Sequence, residues 1–93
     1  MDDFFYVLSF DSTSHAIQTE IRIKDYFRIA TIPTPREITN SCGLSIKIFS
    51  LDFKAIKEFL QSMKVPYGFY RLSNQKVDGK REIEKIDLGI ENE

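Results

Sequence analysis

The chain has 93 residues, a formal net charge of -1 and 42% hydrophobic residues, among them 8 Phe and 4 Tyr. That length suits one small domain with a modest core and excludes two domains or a large enclosed active site. The apolar fraction predicts a chain that folds unaided, while the interspersed charges lack the basic stripe that phosphate-backbone binding or a membrane surface requires. We therefore expect no nucleic acid and no membrane among its partners.

The opening residues and the cysteine count predict the compartment. The start MDDFFYVLSF is acidic where a signal peptide would be basic. No apolar run approaches the roughly 18 to 20 residues of a membrane span. We expect a cytoplasmic protein, in which the single cysteine, Cys42, persists as a free thiol. One Cys and one His do not form a dedicated metal site, so we expect no metal and no cofactor.

The first predicted elements are a strand and a helix. FFYVLSF, residues 4–10, is dense in aromatic and β-favouring residues and is long enough for one strand. The turn that follows, residues 11–14, offers several good helix N-cap residues. Apolar residues then recur at helical spacing and predict helix one, with a stripe of Ala16, Ile23 and Phe27 and with Ile17 and Ile21 beside it.

Two short strands follow helix one. RIATI, residues 28–32, predicts the second strand, which Pro33 ends because proline has no N–H to give to a sheet ladder. CGLSIKIF, residues 42–49, largely alternates between apolar and polar residues and predicts the third strand. Cys42 shares the phase of Leu44, so both are expected on the same face of that strand.

A second helix and a fourth strand complete the predicted domain. In SLDFKAIKEFLQSMK the apolar residues recur at helical spacing, and this is the clearest element of the chain. If Asp52 caps this helix, Leu51 and Ile56 take the two positions of a hydrophobic staple. VPYGFYRL, residues 65–72, predicts the fourth strand.

The order β-α-β-β-α-β predicts the architecture. It indicates an α+β, ferredoxin-like two-layer sandwich in residues 1–73, with residues 74–93 as a charged C-terminal tail, flexible or weakly structured. With right-handed crossovers, both helices cover one face of a four-stranded antiparallel sheet of strand order 4-1-3-2. An exposed edge, at strand two or strand four, could pair with a second copy to form a homodimer, or with the tail.

The same topology brings the cysteine close to helix one. The turn from strand one into helix one and the loop between strands two and three lie at the same end of the sheet. Cys42 is therefore expected near the helix N-terminus, beside Ser12 and Thr13. Free N–H groups and the helix dipole favour an anion there, and so favour the thiolate.

Two interpretations of Cys42 stay open on the residues alone. As a presented thiol, it follows a loop stiffened by Pro33 and Pro35, and Gly43 leaves room for a ligand or a partner's backbone. As a packing residue, it simply continues the apolar phase of Leu44, and free cysteine is among the most buried residue types. Counting residue types favours packing.

Arg36 is the only cation of the stretch IPTPREITNSCG, residues 32–43. With the Ser/Thr-rich turn it could form an anion-binding end of the sheet or help to hold a thiolate. The alternative, which single-residue statistics favour, is a solvated loop arginine or a partner for Glu37 or Asp11.

Two titratable residues of helix one also need interpretation. His15 lies in the first turn on the polar side, where a surface histidine is expected rather than a proton shuttle, because the sequence supplies no orienting carboxylate. Glu20 falls inside the apolar arc, where a carboxylate needs a partner. Lys24, one turn later, is the expected partner, with the Arg36 loop as the alternative.

Several short motifs resemble those of a known family. They are Phe-x-Ser-Thr at residues 10–13, Ala16 and Glu20 in helix one, and above all IPTPREI at residues 32–38 and Ser-Cys-Gly at residues 41–43. Together they resemble the DUF3343 family of small bacterial proteins, described as selenium/sulfur (Se/S) carrier proteins. The resemblance runs from about Tyr6 to Tyr70 and so covers nearly the whole predicted domain.

The resemblance implies a function that the residues alone do not derive. It implies that Cys42 accepts sulfur or selenium as a transient persulfide or selenylsulfide and passes it between a donor and an acceptor protein. The positions that match the motif around it are Ser12, Thr13, Arg36, Ser41 and Gly43, with Glu20, Pro33 and Pro35 behind them. Family members often have a histidine directly after the Ser-Thr pair, where this chain has Ser14, which puts any role of His15 in doubt.

Two other classes of function stay open beside the carrier. The chain could be a small regulatory or interaction domain that binds an anionic metabolite or a protein without covalent chemistry. It could also be a redox sensor, although without a second cysteine a partner thiol would have to resolve an oxidised Cys42. Sulfur carriage makes the protein a carrier or accessory protein rather than an independent enzyme.

Overall fold

A computed structural model describes residues 4–38 and 42–86 of the chain. Its helices and strands follow in the order β1 (Phe4–Ser9), α1 (Thr13–Ile23), β2 (Ile29–Pro33), β3 (Leu44–Ile48), α2 (Phe53–Gln61), β4 (Gly68–Val77) and β5 (Lys80–Lys85). The predicted α+β class with two helices is confirmed over this part of the chain.

The strands form one antiparallel sheet in the order β2-β3-β1-β4-β5. The predicted four-stranded sheet of order 4-1-3-2 does not match in full, because the sheet has five strands. The first four strands lie next to the neighbours that the right-handed crossovers require, and β5 then adds to the far side of β4. The described sheet therefore has β2 and β5 as its outer strands, and the β4 edge is covered.

The main hydrophobic cluster joins both helices to one face of the sheet. Leu8 of β1 lies opposite Ile46 of β3, and these side chains pack with Ile23 of α1 and Leu60 of α2. All four are almost completely buried. Because successive strand residues point to opposite faces, the residues between them on β1 and β3 form the helix-free face.

The helix-free face is partly covered by the β2–β3 connection. Ile38 from that connection is buried at 6% exposure against Phe5, Val7 and Leu72, which form a second, smaller cluster. The neighbouring Glu37 accepts a hydrogen bond of 3.0 Å from the backbone N–H of Arg81 in β5. The segment that carries the Pro-x-Pro-Arg-Glu motif is thus anchored on the opposite side of the sheet from the helices.

Capping side chains fix where the two helices begin. Ser12 adopts an extended conformation, and its hydroxyl accepts a 3.2 Å hydrogen bond from the backbone N–H of His15. Asp52 caps α2, because its carboxylate accepts a 3.1 Å hydrogen bond from the N–H of Ala55. The predicted cap at Asp52 is confirmed.

The buried stripe of α1 differs from the predicted one. Ala16, Thr19 and Ile23 are buried, but Ile17 and Ile21 are 48% and 55% exposed. Each residue turns the helix by about 100°, so the stripe that follows Ala16 and Ile23 carries Ile17 and Ile21 away from the sheet. The prediction that these two isoleucines lie beside the core stripe was wrong.

A tight hairpin joins β4 to β5. Asp78 and Gly79 both have positive φ, +56° and +80°, as the two central residues of a type I′ turn require. The segment interpreted as a flexible or weakly structured tail therefore completes β4 and forms β5, and the proposed boundary at residue 73 falls inside β4. Residues 87–93 of that segment lie outside the described residues.

Candidate functional site at the end of β1 and β3

Cys42 lies next to the chain that leads into α1. Its backbone N–H donates a 2.7 Å hydrogen bond to the carbonyl oxygen of Phe10, two residues before the helix cap Ser12. This bond extends the pairing of β3 with β1 beyond the last paired residues, Ser9 and Ser45. The backbone of the cysteine is therefore held beside the segment that opens the helix.

The thiol of Cys42 is half-buried. Its sulfur lies 3.6 Å from the carbonyl oxygen of Leu44, in a geometry in which the S–H donates to that oxygen. The side chain also packs against the rim of the main hydrophobic cluster. The thiol thus has features of both interpretations, since it contacts the core yet is not sealed beneath other side chains.

The loop around the cysteine is closed at its base. The N–H of Thr34 donates to the carbonyl oxygen of Gly43 at 3.0 Å, and the hydroxyls of Thr34 and Ser45 lie 2.7 Å apart. Gly43 has a φ of +92°, which L side chains rarely adopt, and an added Cβ would meet no atom of residues 4–38 and 42–86 within 4 Å. Glycine therefore serves the backbone conformation, and it also leaves open space beside the thiol.

The other predicted site residues do not all converge on Cys42. Ser12 caps α1, and Thr13 is exposed at its first position. Pro33 ends β2, and Pro35 is half-buried in the connection after it. Ser41 lies outside the described residues.

Arg36 is exposed in the turn that begins the β2–β3 connection. Within residues 4–38 and 42–86 it forms no hydrogen bond or ion pair, so no contact links it to the thiol, to Glu37 or to Asp11. The binding role predicted for it therefore stays a prediction.

Glu20 and His15 differ from their predicted surroundings. Glu20 is half-buried as expected, but it forms no ion pair with Lys24 in the described part of the chain; the two are joined by the helical backbone bond of 3.2 Å. His15 is half-buried rather than on the surface, and its Nδ1 is buried without a hydrogen-bond partner among the described residues.

Glu37 is the titratable group of this region with a shifted pKa. The N–H of Arg81 donates to its carboxylate, and this bond, together with the positive charges of Arg81 and Lys76, holds the pKa of Glu37 below its ordinary value of 4.5. The lowered pKa reflects the hydrogen bond that attaches the β2–β3 connection to β5 on the helix-free face.

A cavity that the sequence did not predict opens at the same end of the sheet. It has a volume of about 410 Å³ and is lined by Ser9, Asp11, Pro66, Tyr67, Gly68, Tyr70 and Lys85. Ser9 and Asp11 flank Phe10, whose carbonyl binds the N–H of Cys42. Among the lining residues, Gly68 is the one that the sequence could have marked, since a glycine within a strand often indicates a close approach. A Cβ there would lie 2.7 Å from both Ser9 Oγ and Tyr70 Cε1.

The described residues contain neither a metal-binding cluster nor a membrane-spanning helix. Among the described residues, no group of three or more His, Cys, Asp or Glu side chains is arranged to hold a metal ion. In the same residues, neither helix is long and apolar enough to span a membrane.

The fold and the site define a class of protein. The chain is a small α+β protein with a single, half-buried thiol, which lies where β1 ends and β3 begins, beside the segment that opens α1. A family model described as "Putative Se/S carrier protein-like" matches residues 5–71. The chain belongs to this family, which confirms the resemblance seen in its motifs.

The matched span includes every predicted site residue and ends inside β4. No match was found among curated proteins or among solved structures. The hairpin strand β5 lies beyond the part of the chain that the family model describes.

Proposed function

We propose that this protein carries sulfur or selenium on Cys42 and exchanges it with a donor and an acceptor protein in the cytoplasm. The observation that carries the proposal is membership of the Se/S carrier-like family over residues 5–71, a span that contains the chain's one cysteine. The protein then acts as an accessory carrier, with no independent turnover.

The loading step is an exchange at a sulfur–sulfur bond. The Cys42 thiolate attacks the terminal sulfur of a donor persulfide, forming a new S–S bond as the donor's S–S bond breaks. The electron pair of the broken bond leaves with the donor thiolate, so no external oxidant is required. Unloading repeats the step, with an acceptor nucleophile taking the terminal sulfur and Cys42 leaving as a thiolate. Selenium follows the same route through a selenylsulfide.

The surroundings of Cys42 support an anionic cargo. Its backbone is hydrogen-bonded to the segment that opens α1, and the N-terminus of a helix stabilises negative charge. The half-buried thiol gives a loaded sulfur shelter from solvent while leaving it within reach of a partner. Gly43 leaves space in which a partner's backbone could approach.

The other residues of the family motifs have supporting roles in the proposed carrier. Ser12 and Thr13 present the start of α1, and the exposed Arg36 pairs with the loaded anion or with an acid of the partner. Ser41 completes the motif beside the thiol. Pro33 and Pro35 limit the motion of the connection, and Glu20 lies behind the helix start.

Mass spectrometry of the loaded protein tests the proposal. The protein is incubated with a cysteine desulfurase and cysteine, and its intact mass is measured under non-reducing conditions. We expect a gain of one sulfur atom that dithiothreitol removes and that Cys42→Ser, with an unchanged circular dichroism spectrum, does not show. If the protein gains no sulfur under conditions that load a known carrier, the proposal fails.

A second candidate is favoured by the cavity beside the site. Ser9 is 6% exposed, and it lines the cavity together with Asp11 and Lys85. Such a cavity suits a small charged metabolite that binds without covalent chemistry. Cys42→Ser separates the two functions, because it abolishes sulfur loading but leaves metabolite binding unchanged.

A further inference from the structure

The charges of the sheet are segregated between its two faces. Five cationic side chains belong to the helix-free face by register and contacts, and we call them the basic face: Arg28, Lys47, Lys76, Arg81 and Lys85. The strand carboxylates of β5, Glu82 and Glu84, alternate with these cations and point to the helix side, where Glu84 pairs with Arg71. A net charge of -1 hides this separation.

Cations and aromatic rings form a continuous row across the basic face. The ring of Phe49 has Arg28 at 5.7 Å and Lys47 at 5.2 Å from its centroid. Lys47 also lies 4.4 Å from the centroid of Phe5, which has Arg81 on it at 5.3 Å. Cation–π contacts of this kind hold the side chains in place without neutralising their charge. The row thus presents ordered positive charge from β2 to β5.

Little negative charge opposes these cations. Two carboxylates approach the face. Glu37 of the β2–β3 connection is bound to the N–H of Arg81 and lies within the electrostatic influence of Arg81 and Lys76, and Asp11 lines the same cavity as Lys85. Within residues 4–38 and 42–86, none of the five cations forms an ion pair. Arg28, Lys76 and Lys85 are exposed, so their charges are available to a partner.

We infer that the basic face docks an acidic surface of a partner protein. Charge complementarity identifies the partner's chemistry and would speed its encounter with the sheet. A single-stranded nucleic acid is the weaker candidate, because it needs free ring faces on which bases can stack. Here Phe5 is 8% exposed and Phe49 is 47% exposed, but both rings already have two cations within 6 Å of their centroids.

This inference does not depend on sulfur chemistry at Cys42. The cysteine packs with the helix-side cluster, whereas the row of cations lies on the other face of the sheet. A protein that fails to accept sulfur could still dock an acidic partner, and a carrier could load sulfur with its basic face neutralised. The two proposals therefore fail separately.

Titration with three polyanions tests the inference. The probes are an oligoglutamate peptide, an oligothymidylate of equal charge, and vesicles of anionic lipid, each added at low salt to the 15N-labelled full chain. We expect the peptide to shift amide signals of β2, β3 and β5, and salt to weaken binding. The double variant Arg28→Glu/Lys76→Glu should bind the peptide about tenfold more weakly, because each reversal turns an attraction into a repulsion.

A matched double variant controls for net charge. Lys54→Glu/Lys64→Glu alters the exposed end residues of the α2 region by the same total charge and should leave peptide affinity within about twofold. Equal losses in both double variants would overturn the inference, as would signal shifts centred on the helices. Tighter binding of the oligothymidylate or of the vesicles than of the peptide would overturn it in favour of that ligand.

Discussion

Single residues at this end of the sheet determine the shape of the cavity, and Gly68 is the clearest example. Its missing Cβ leaves room for Ser9 Oγ and for the ring of Tyr70, both of which line the cavity. Ser9 is almost wholly buried, so its hydroxyl has little room to shift, whereas the ring of Tyr70 is half-buried and borders the cavity. The glycine therefore controls the shape of the cavity rather than a turn.

Gly68→Ala should destabilise the protein by about 1–3 kcal/mol, because the new methyl group would overpack a site with two contacts at 2.7 Å. Urea unfolding measures the change. In the double variant Ser9→Ala/Gly68→Ala the contact with Ser9 Oγ is removed, so part of the lost stability should be recovered. Equal or greater stability of the single variant would show that the site is not tightly packed.

Sequence reasoning about single residues succeeded where the backbone alone defines the position. Pro33 ends β2, and Cys42 adjoins the segment before α1, because topology brings those backbones together. It failed where a side chain must choose a partner. Glu20 lies near Lys24 along the helix, but proximity on a helix does not establish an ion pair, and His15 is half-buried although its position on the helix predicted a surface residue.

Among the helices and strands, those with local sequence signals were predicted best. α2 was predicted well, because its cap and its apolar spacing are both local signals, and Asp52 and Ile56 take the expected places. For β5 the prediction was open: the tail was expected to be flexible or weakly structured, or to pair with strand two or strand four, and its pairing with β4 is confirmed. The prediction did not use Asp78-Gly79, which is a strong hairpin signal. The high charge of the flanking residues masked it, since a strand with only Ile83 apolar can still pair through its backbone.

Asp52→Ala should lower the free energy of unfolding by about 1 kcal/mol, because the N–H of Ala55 loses its acceptor at the start of α2. Asp52→Asn keeps an acceptor oxygen and should lose much less. Thermal and urea unfolding of the two variants measure the difference. Equal losses would indicate that the charge of Asp52, rather than its cap hydrogen bond, stabilises the helix.

Acid should loosen the contact between the β2–β3 connection and β5. The pKa of Glu37 is lowered in the folded protein, chiefly by the N–H of Arg81, so its stabilising contribution is complete above 4.5 and is lost as the pH falls through the lowered value. Glu37→Gln should flatten the loss of stability in this acid range. Unfolding curves from about pH 6 to about pH 3 would show the difference.

The control for this prediction is Glu58→Gln, which changes an exposed carboxyl on α2. It should retain the acid sensitivity of the unaltered protein. If Glu37→Gln and Glu58→Gln behave alike, the Glu37–Arg81 bond does not contribute to the pH dependence.

At the scale of the whole molecule, β5 protects the sheet. Without it, β4 would be an edge strand with unpaired N–H and C=O groups along its length. The family model matches residues 5–71, so the strand that covers this edge lies outside the matched span. Residue patterns could predict the order of the first four strands, whereas the charge segregation of the faces required the strand register.

A chain ended after Val77 should therefore unfold at lower urea concentration and associate more as its concentration rises. A chain ended after Ile86 keeps β5 and is the matched control. Light scattering over a concentration series, together with urea unfolding, compares the two. Identical behaviour would mean that β5 neither stabilises β4 nor shields its edge.

The hairpin of β4 and β5 also has a consequence for the lifetime of the protein. Among the described residues, β1 pairs with β4 only as far as Ser73, and beyond it the pairs of β4 are with β5, at Lys76 and Val77. An isolated two-stranded ribbon is marginally stable in water, and Val77 at its tip is 67% exposed. Amide hydrogens there should exchange first, and a protease should cut there before the rest of the molecule opens.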